Sequence, residues 1–122
     1  NEQDSLTSLP ASEEFRDKRD PLQYSQIIEA IRVHTRDIEP ASLMVQVAFG
    51  YASDDKSTPQ EISTRKVEIT DFLRSYFQSK TVAELKQEEK IKIDLRNEMN
   101  DNVLTGNKIK DVRFAKYEIM EP

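Results

Sequence analysis

The side chains best suited to chemistry in this sequence are acids, one imidazole and a few hydroxyls, and their spacing decides what they could do. Asp54-Asp55 and Glu88-Glu89 are adjacent carboxylate pairs. A hard divalent cation needs alternating oxygen donors around a central glycine, as in an EF-hand loop, and neither pair sits in such a pattern. They read as a turn and a solvated helix start. His34 is the single histidine. It falls in a strand-like stretch with no acidic or nucleophilic pattern beside it, which suits a surface or interface residue better than a general base. Gly50 and Gly106 are the only glycines, and the sequence has no glycine-rich phosphate loop, nucleophile elbow or metalloprotease helix. We therefore expect no catalytic residue, no metal and no cofactor.

Two hydroxyl–acid pairs at a spacing of three have a structural meaning instead. Thr81-Val82-Ala83-Glu84 fits a capping box, in which each side chain reaches the other residue's backbone N–H. Thr58-Pro59-Gln60-Glu61 has the same spacing and puts proline where the missing N–H costs nothing, at the first helical position. Between the boxes, Ile62, Ile69, Phe72, Leu73 and Tyr76 recur at helical spacing and are expected in the core. Phe77 falls off the centre of that stripe and is the candidate for recognition rather than packing. After a short turn ending near Leu85, Ile91, Leu95, Met99 and Val103 lie four apart, and Gly106 stands where a left-handed helix end is wanted. Glu88 and Lys92 are spaced to pair on the surface of that helix.

The remaining segments read as strands. From Ile27 the chain suggests two: Ile31 and Val33 alternate with Arg32 and His34, and Leu43, Val45, Val47, Phe49 and Tyr51 alternate strictly. Asp37 to Pro40 supply a turn short enough for an antiparallel hairpin. The last segment is again strand-like, but its alternation changes phase: Val112 and Phe114 share one face, Tyr117 and Ile119 the other. Either a bulge near Ala115 restores the face or both faces are covered. The expected fold class is α+β, a two-layer arrangement with a β-hairpin, two consecutive helices and a C-terminal strand.

Composition narrows the function further. The chain has 122 residues, 36% hydrophobic and 34% charged, which fits one domain with a heavily solvated surface. No window approaches the ~18 apolar residues of a membrane span. The net charge is −5, and beyond residue 21 acids and bases nearly balance, seventeen against fifteen. Without a basic stripe, a nucleic-acid partner is not expected. The absence of cysteine removes disulfides, thiolate zinc sites and thiol catalysis together, and leaves the compartment open. Residues 1–21 carry six acids, three bases and few large apolar groups, so we expect a flexible arm, with the domain proper at 22–122. The chain begins with Asn1, and we expect a fragment whose signal or anchor segment lay upstream.

Three stretches carry a family likeness. "STRKVEITDFLRSYFQSKTVAEL", "LRNEMNDNVLTGNKIKDVRFAKYEIM" and the strand "SLMVQVAFGYA" together resemble the periplasmic domain of the flagellar basal body-associated protein FliL family, from about Ile27 to Met120. The terminal strand has the form Val112-x-Phe114-x-x-Tyr117-x-Ile119. Where that family commonly has a glycine between the short helix and the long one, this chain has Gln87-Glu88-Glu89. The resemblance implies a fold like the domain shared by stomatin and prohibitin (SPFH), and a non-enzymatic protein with one N-terminal inner-membrane helix and its domain in the periplasm. It also implies ring-forming homo-oligomers around the flagellar stator proteins MotA/MotB, favouring their extended, active form in support of motility. On the chain itself, Phe77, Arg113, Phe114 and Tyr117 are the interface candidates. A soluble SPFH-like scaffold or small-ligand module unrelated to the flagellum, and a carboxylate hydrolase, are the alternatives; they would need an apolar pocket or a paired carboxylate site.

Overall fold

The computed structural model describes residues 21–122. The arm expected at residues 1–21 lies, but for Pro21, outside the described residues. The element order is β1 (Leu22–Ser25), β2 (Ile31–His34), β3 (Ser42–Ala52), α1 (Ser57–Thr64), α2 (Lys66–Gln78), α3 (Val82–Leu85), α4 (Glu88–Asn102) and β4 (Asp111–Met120).

Strand β3 is the spine of a four-stranded antiparallel sheet and pairs with all three others. β4 runs along one edge, from Met120 opposite Ser42 to Asp111 opposite Gly50. The other edge is shared: β2 pairs with residues 42–45 and β1 with residues 49–52. Between them residues 26–30 lie opposite residues 46–48, so β1 and β2 form one interrupted edge strand. The expected hairpin of β2 and β3 is present, and β1 is an addition to the expected order. Leu22 sits opposite Ala52 and Met120 opposite Ser42, so the chain comes into the sheet at one end of β3 and leaves it at the other.

The alternation of β3 sets the layers. Leu43, Val45, Val47, Phe49 and Tyr51 are buried and face the helices together with Ile31, Val33 and Val112. Ile62, Ile69, Leu73 and Phe77 from α1 and α2, and Ile91, Leu95 and Met99 from α4, complete this core. Directly paired residues share a face. The opposite face therefore carries Tyr24, Arg32, His34, Met44, Gln46, Gly50, Arg113, Lys116 and Glu118. This is the half-buried, half-solvated sheet that antiparallel pairing allows. The α+β class stands.

Four local expectations change. The first capping box does not form. Asp55 caps instead, its Oδ1 accepting from the N–H groups of Ser57 and Thr58 at 2.9 and 3.0 Å, so α1 starts two residues earlier, at Ser57, and Thr58 is buried. Pro59 still falls among the first four N–H positions, where no helical bond is lost. The single helix expected between the boxes is interrupted at Arg65, which takes φ −100° and ψ 26°. The hydrogen-bond ladder nevertheless crosses it, from Arg65 N to Glu61 O and from Ile69 N to Arg65 O.

Gly106 is not the end of α4. The helix stops at Asn102, where both Val103 N and Leu104 N donate to Met99 O. Lys92 pairs with Glu89 at 3.2 Å rather than with Glu88, and its ammonium also lies over the Phe114 ring, 5.5 Å from the centroid. The second box is as expected: Thr81 Oγ1 accepts from Glu84 N and Glu84 Oε1 from Thr81 N, and α3 follows. The α3–α4 joint at Gln87 has φ −93° and ψ 68°, a negative φ that does not require glycine.

Candidate interaction surface

Two carboxylates, Asp55 and Glu61, hold loops in place. Asp55 accepts hydrogen bonds from Ser57, Thr58 and Asn107, reaching from the start of α1 to the loop before β4. Glu61 on α1 grips the same loop, accepting from Thr105 N and Oγ1 at 2.9 Å each and from Gly106 N at 3.3 Å, while Arg65 Nε lies 2.8 Å away. Burial pushes both carboxyls up, but these donors outweigh it. Asp55 ends far below the usual carboxylate range and Glu61 is also lowered.

Among the described residues, no group of three or more His, Cys, Asp or Glu is placed to hold a metal. One hollow of about 930 Å³ lies beside α1 and α2 between Glu61, Val67 and Thr105, and it is shallow and open. No described helix is long and apolar enough to cross a membrane.

Aromatic side chains form the clearest designed feature. Phe72, Tyr76 and Phe77 on α2 and Phe114 and Tyr117 on β4 make one continuous series of ring contacts. The centroid distances are 6.2, 5.2, 6.3 and 4.4 Å in that order. Its two tyrosines carry polar handles. Tyr76 Oη donates to Asp94 Oδ2 at 2.7 Å and Tyr117 Oη to the Leu85 carbonyl at 2.6 Å. Burial holds both phenols well above their ordinary range, helped by the charges of Asp94 at Tyr76 and Glu88 at Tyr117. They remain neutral donors. Lys80 and Lys92 cover the Tyr76 and Phe114 rings at 4.7 and 5.5 Å, burying their stems while keeping their ammonium groups wet.

The series settles the phase change in β4. Val47 pairs with Phe114 and Gln46 with Lys116, leaving Ala115 as the extra residue of a bulge. Phe114 and Tyr117 therefore point to the same face, not to opposite ones. Phe77 is also corrected: it is fully buried in the core, whereas Phe72 is only partly buried. The reason is the i, i+4 line Ile69–Leu73–Phe77, which turns toward β4 so that Phe77 meets Phe114. Phe77, Phe114 and Tyr117 are thus brought together, and Arg113 is not among them.

Arg113 lies on the outer face, 65% exposed, its guanidinium 4.1 Å over the Tyr24 ring and 3.9 Å from Asp111. Tyr24 in turn donates to Asp111 Oδ2 at 2.5 Å and lies against Gly50, where an added Cβ would come within 2.7 Å of its ring. Sequence reading passed over this cluster. The available signal was Gly50 itself, since a lone glycine inside a strand often marks a close approach.

What remains open to a neighbour is the outer sheet face, with Arg32, His34, Lys116 and Glu118 exposed, and the outer edge of β4, which no described strand pairs. Such a surface offers charge and unpaired backbone rather than a pocket.

Comparison with known proteins gives this surface its setting. The family profile described as "Flagellar basal body-associated protein FliL" matches residues 24–119. The "Flagellar protein FliL" of Treponema pallidum (strain Nichols) is 49% identical over 120 residues, 97% of this chain and 66% of that protein. The "Flagellar protein FliL" of Borreliella burgdorferi is 30% identical over 110 residues, 90% of this chain and 61% of that protein. The chain thus spans somewhat less than two thirds of the length of these curated relatives. A match that starts within β1, ends within β4 and takes in every element between them places this chain in the FliL family of flagellar basal body-associated proteins.

Proposed function

We propose that this domain belongs to a non-enzymatic motor accessory protein that assembles with copies of itself into a ring around the stator proteins MotA/MotB and favours their extended, active form. An SPFH-like fold, a position on the periplasmic side of the inner membrane and a single-pass anchor upstream of the arm belong to the same proposal. The observation that carries it is the extent of the family match, which takes in all of the sheet-and-helix body rather than one motif. The body itself suits a scaffold: side chains of Asp55 and of the Thr81–Glu84 box cap α1 and α3, Glu61 clasps the loop before β4, and the aromatic series ties α2 to β4.

Lateral contact in a ring requires two different patches on each copy. The β4 edge with Lys116 and Glu118 is the first, and Phe114 and Tyr117 contribute to it through their half-exposed rims. Phe77 supports that edge from beneath. Tethering to a membrane raises effective concentration toward the millimolar range, so weak contacts suffice.

The test is crosslinking of the full-length, membrane-anchored protein in cells that are scored for motility. Lys116→Glu and Glu118→Lys are expected to lose the crosslinked species beyond dimer and to reduce swimming together. Arg113→Glu and Tyr117→Ala should do the same, with added loss of stability from their contacts to Tyr24 and Leu85. A tight two-fold dimer that anchoring does not enlarge would refute the ring.

A further inference from the structure

Strand β1 is held differently from the rest of the sheet. None of its four side chains is fully buried. Its backbone pairs only with residues 49–52 of β3. Its side-chain hold is centred on Tyr24, whose ring packs on Gly50, whose hydroxyl bonds Asp111 and whose face carries Arg113. The next fully buried side chain along the chain is Ile28, 0% exposed, whose carbonyl accepts from Gln46 Nε2 at 3.2 Å.

We propose that β1 is a releasable strap, latched by Tyr24 over Gly50 between Asp111 and Arg113, which opens while the rest of the domain stays folded. A short edge strand with no core side chain exposes little apolar surface when it lifts, so its opening belongs to the low-energy end of native fluctuations. On release, residues 22–27 join the chain upstream and Ile28 becomes the point of attachment. Six extended residues reach about 20 Å at ~3.3 Å each. The strap is therefore an adjustable tether. Because the latch draws on β1, β3 and β4, anything that displaces Arg113 or Asp111 on β4 also loosens it. This device does not rest on the ring assembly proposed above.

Native-state hydrogen exchange on the 122-residue chain tests it. The hydrogen-bonded amides joining residues 22–25 to residues 49–52 are expected to exchange at least about tenfold faster than those joining β3 to β4, with almost no dependence on denaturant. Tyr24→Phe, which keeps the ring and removes the hydroxyl, should speed them about tenfold more and leave the β3–β4 amides unchanged. Gly50→Ala, which displaces the ring and leaves Tyr24 intact, should act on the same amides. Exchange of the β1 amides at the rate and denaturant dependence of β3–β4 would overturn the proposal. So would an equal acceleration across the whole sheet in both variants.

Discussion

Phe114 and Tyr117 stack with their ring centroids 4.4 Å apart and their planes 7° from parallel, on the same face of β4. Regular alternation would send residues three apart to opposite faces. The bulge at Ala115 absorbs the odd residue and brings both rings onto the core side. Deleting Ala115 should therefore restore plain alternation with Phe114 and Tyr117 two apart on one face and keep the stack, and Ala115→Ser should change stability by less than about 0.5 kcal/mol, whereas deleting Arg113 should drive Val112 or Phe114 to the outer face and lower stability. Thermal melts followed by circular dichroism would show the contrast. An Ala115 deletion that unfolds, or an Arg113 deletion melting near wild type, would mean that Ala115 is not the residue that takes up the phase change.

The core position on α2 is Phe77, not Phe72. Phe77→Ala should cost about 3–5 kcal/mol and Leu95→Ala about 2–5 kcal/mol, with Phe72→Ala well below both. Urea denaturation of the three variants gives the order directly. A larger loss at Phe72 would contradict the packing described here.

Glu61 makes stability depend on acid. Its folded carboxyl is lowered, so its stabilisation is present at neutral pH and is lost as pH falls below ~4 and on through the folded value. Glu61→Gln should lose about 1–3 kcal/mol at pH 7 through weaker bonds to Thr105, Gly106 and Arg65. The difference from wild type should shrink as pH falls below about 4. Denaturation midpoints across that range would reveal it, and a constant difference would speak against the clasp.

Thr81 and Thr58 looked alike and should behave differently. Thr81→Ala removes a formed capping box and should cost about 1 kcal/mol. Thr81→Ser, which keeps the acceptor oxygen, should recover most of it. If serine performs no better than alanine, the cap is not what Thr81 supplies.

The parts of the fold visible in the sequence are those where one element fixes its own pattern. The alternation from Leu43 to Tyr51 needs only a pleated strand with one wet face, and the line Ile91–Leu95–Met99–Val103 only a helix against a sheet. Even the bulge was visible as one of two alternatives, because the phase change is local to β4. What stayed hidden depends on residues far apart in sequence. Phe77 is core because Phe114 waits on β4, and Glu61 turns from its own helix start because Thr105 and Gly106 offer three donors. β1 has neither alternation nor burial of its own, and Tyr24 explains it only once Gly50, Asp111 and Arg113 are beside it. The interface candidates divided on the same line: the rings came together, and Arg113 went to the other side of the sheet.

The placement of Leu22 and Met120 at opposite ends of β3 gives the domain a near and a far pole relative to the chain upstream of Pro21. The ten steps from Ser42 to Ala52 span about 33 Å at ~3.3 Å each. A fluorophore attached at Pro122 would ride at the far pole, while one at Ser53, whose N–H bonds the Pro21 carbonyl, would stay where the chain comes in. Paired with a quencher confined to a bilayer, the two labels would turn the domain into a ruler of its own tilt.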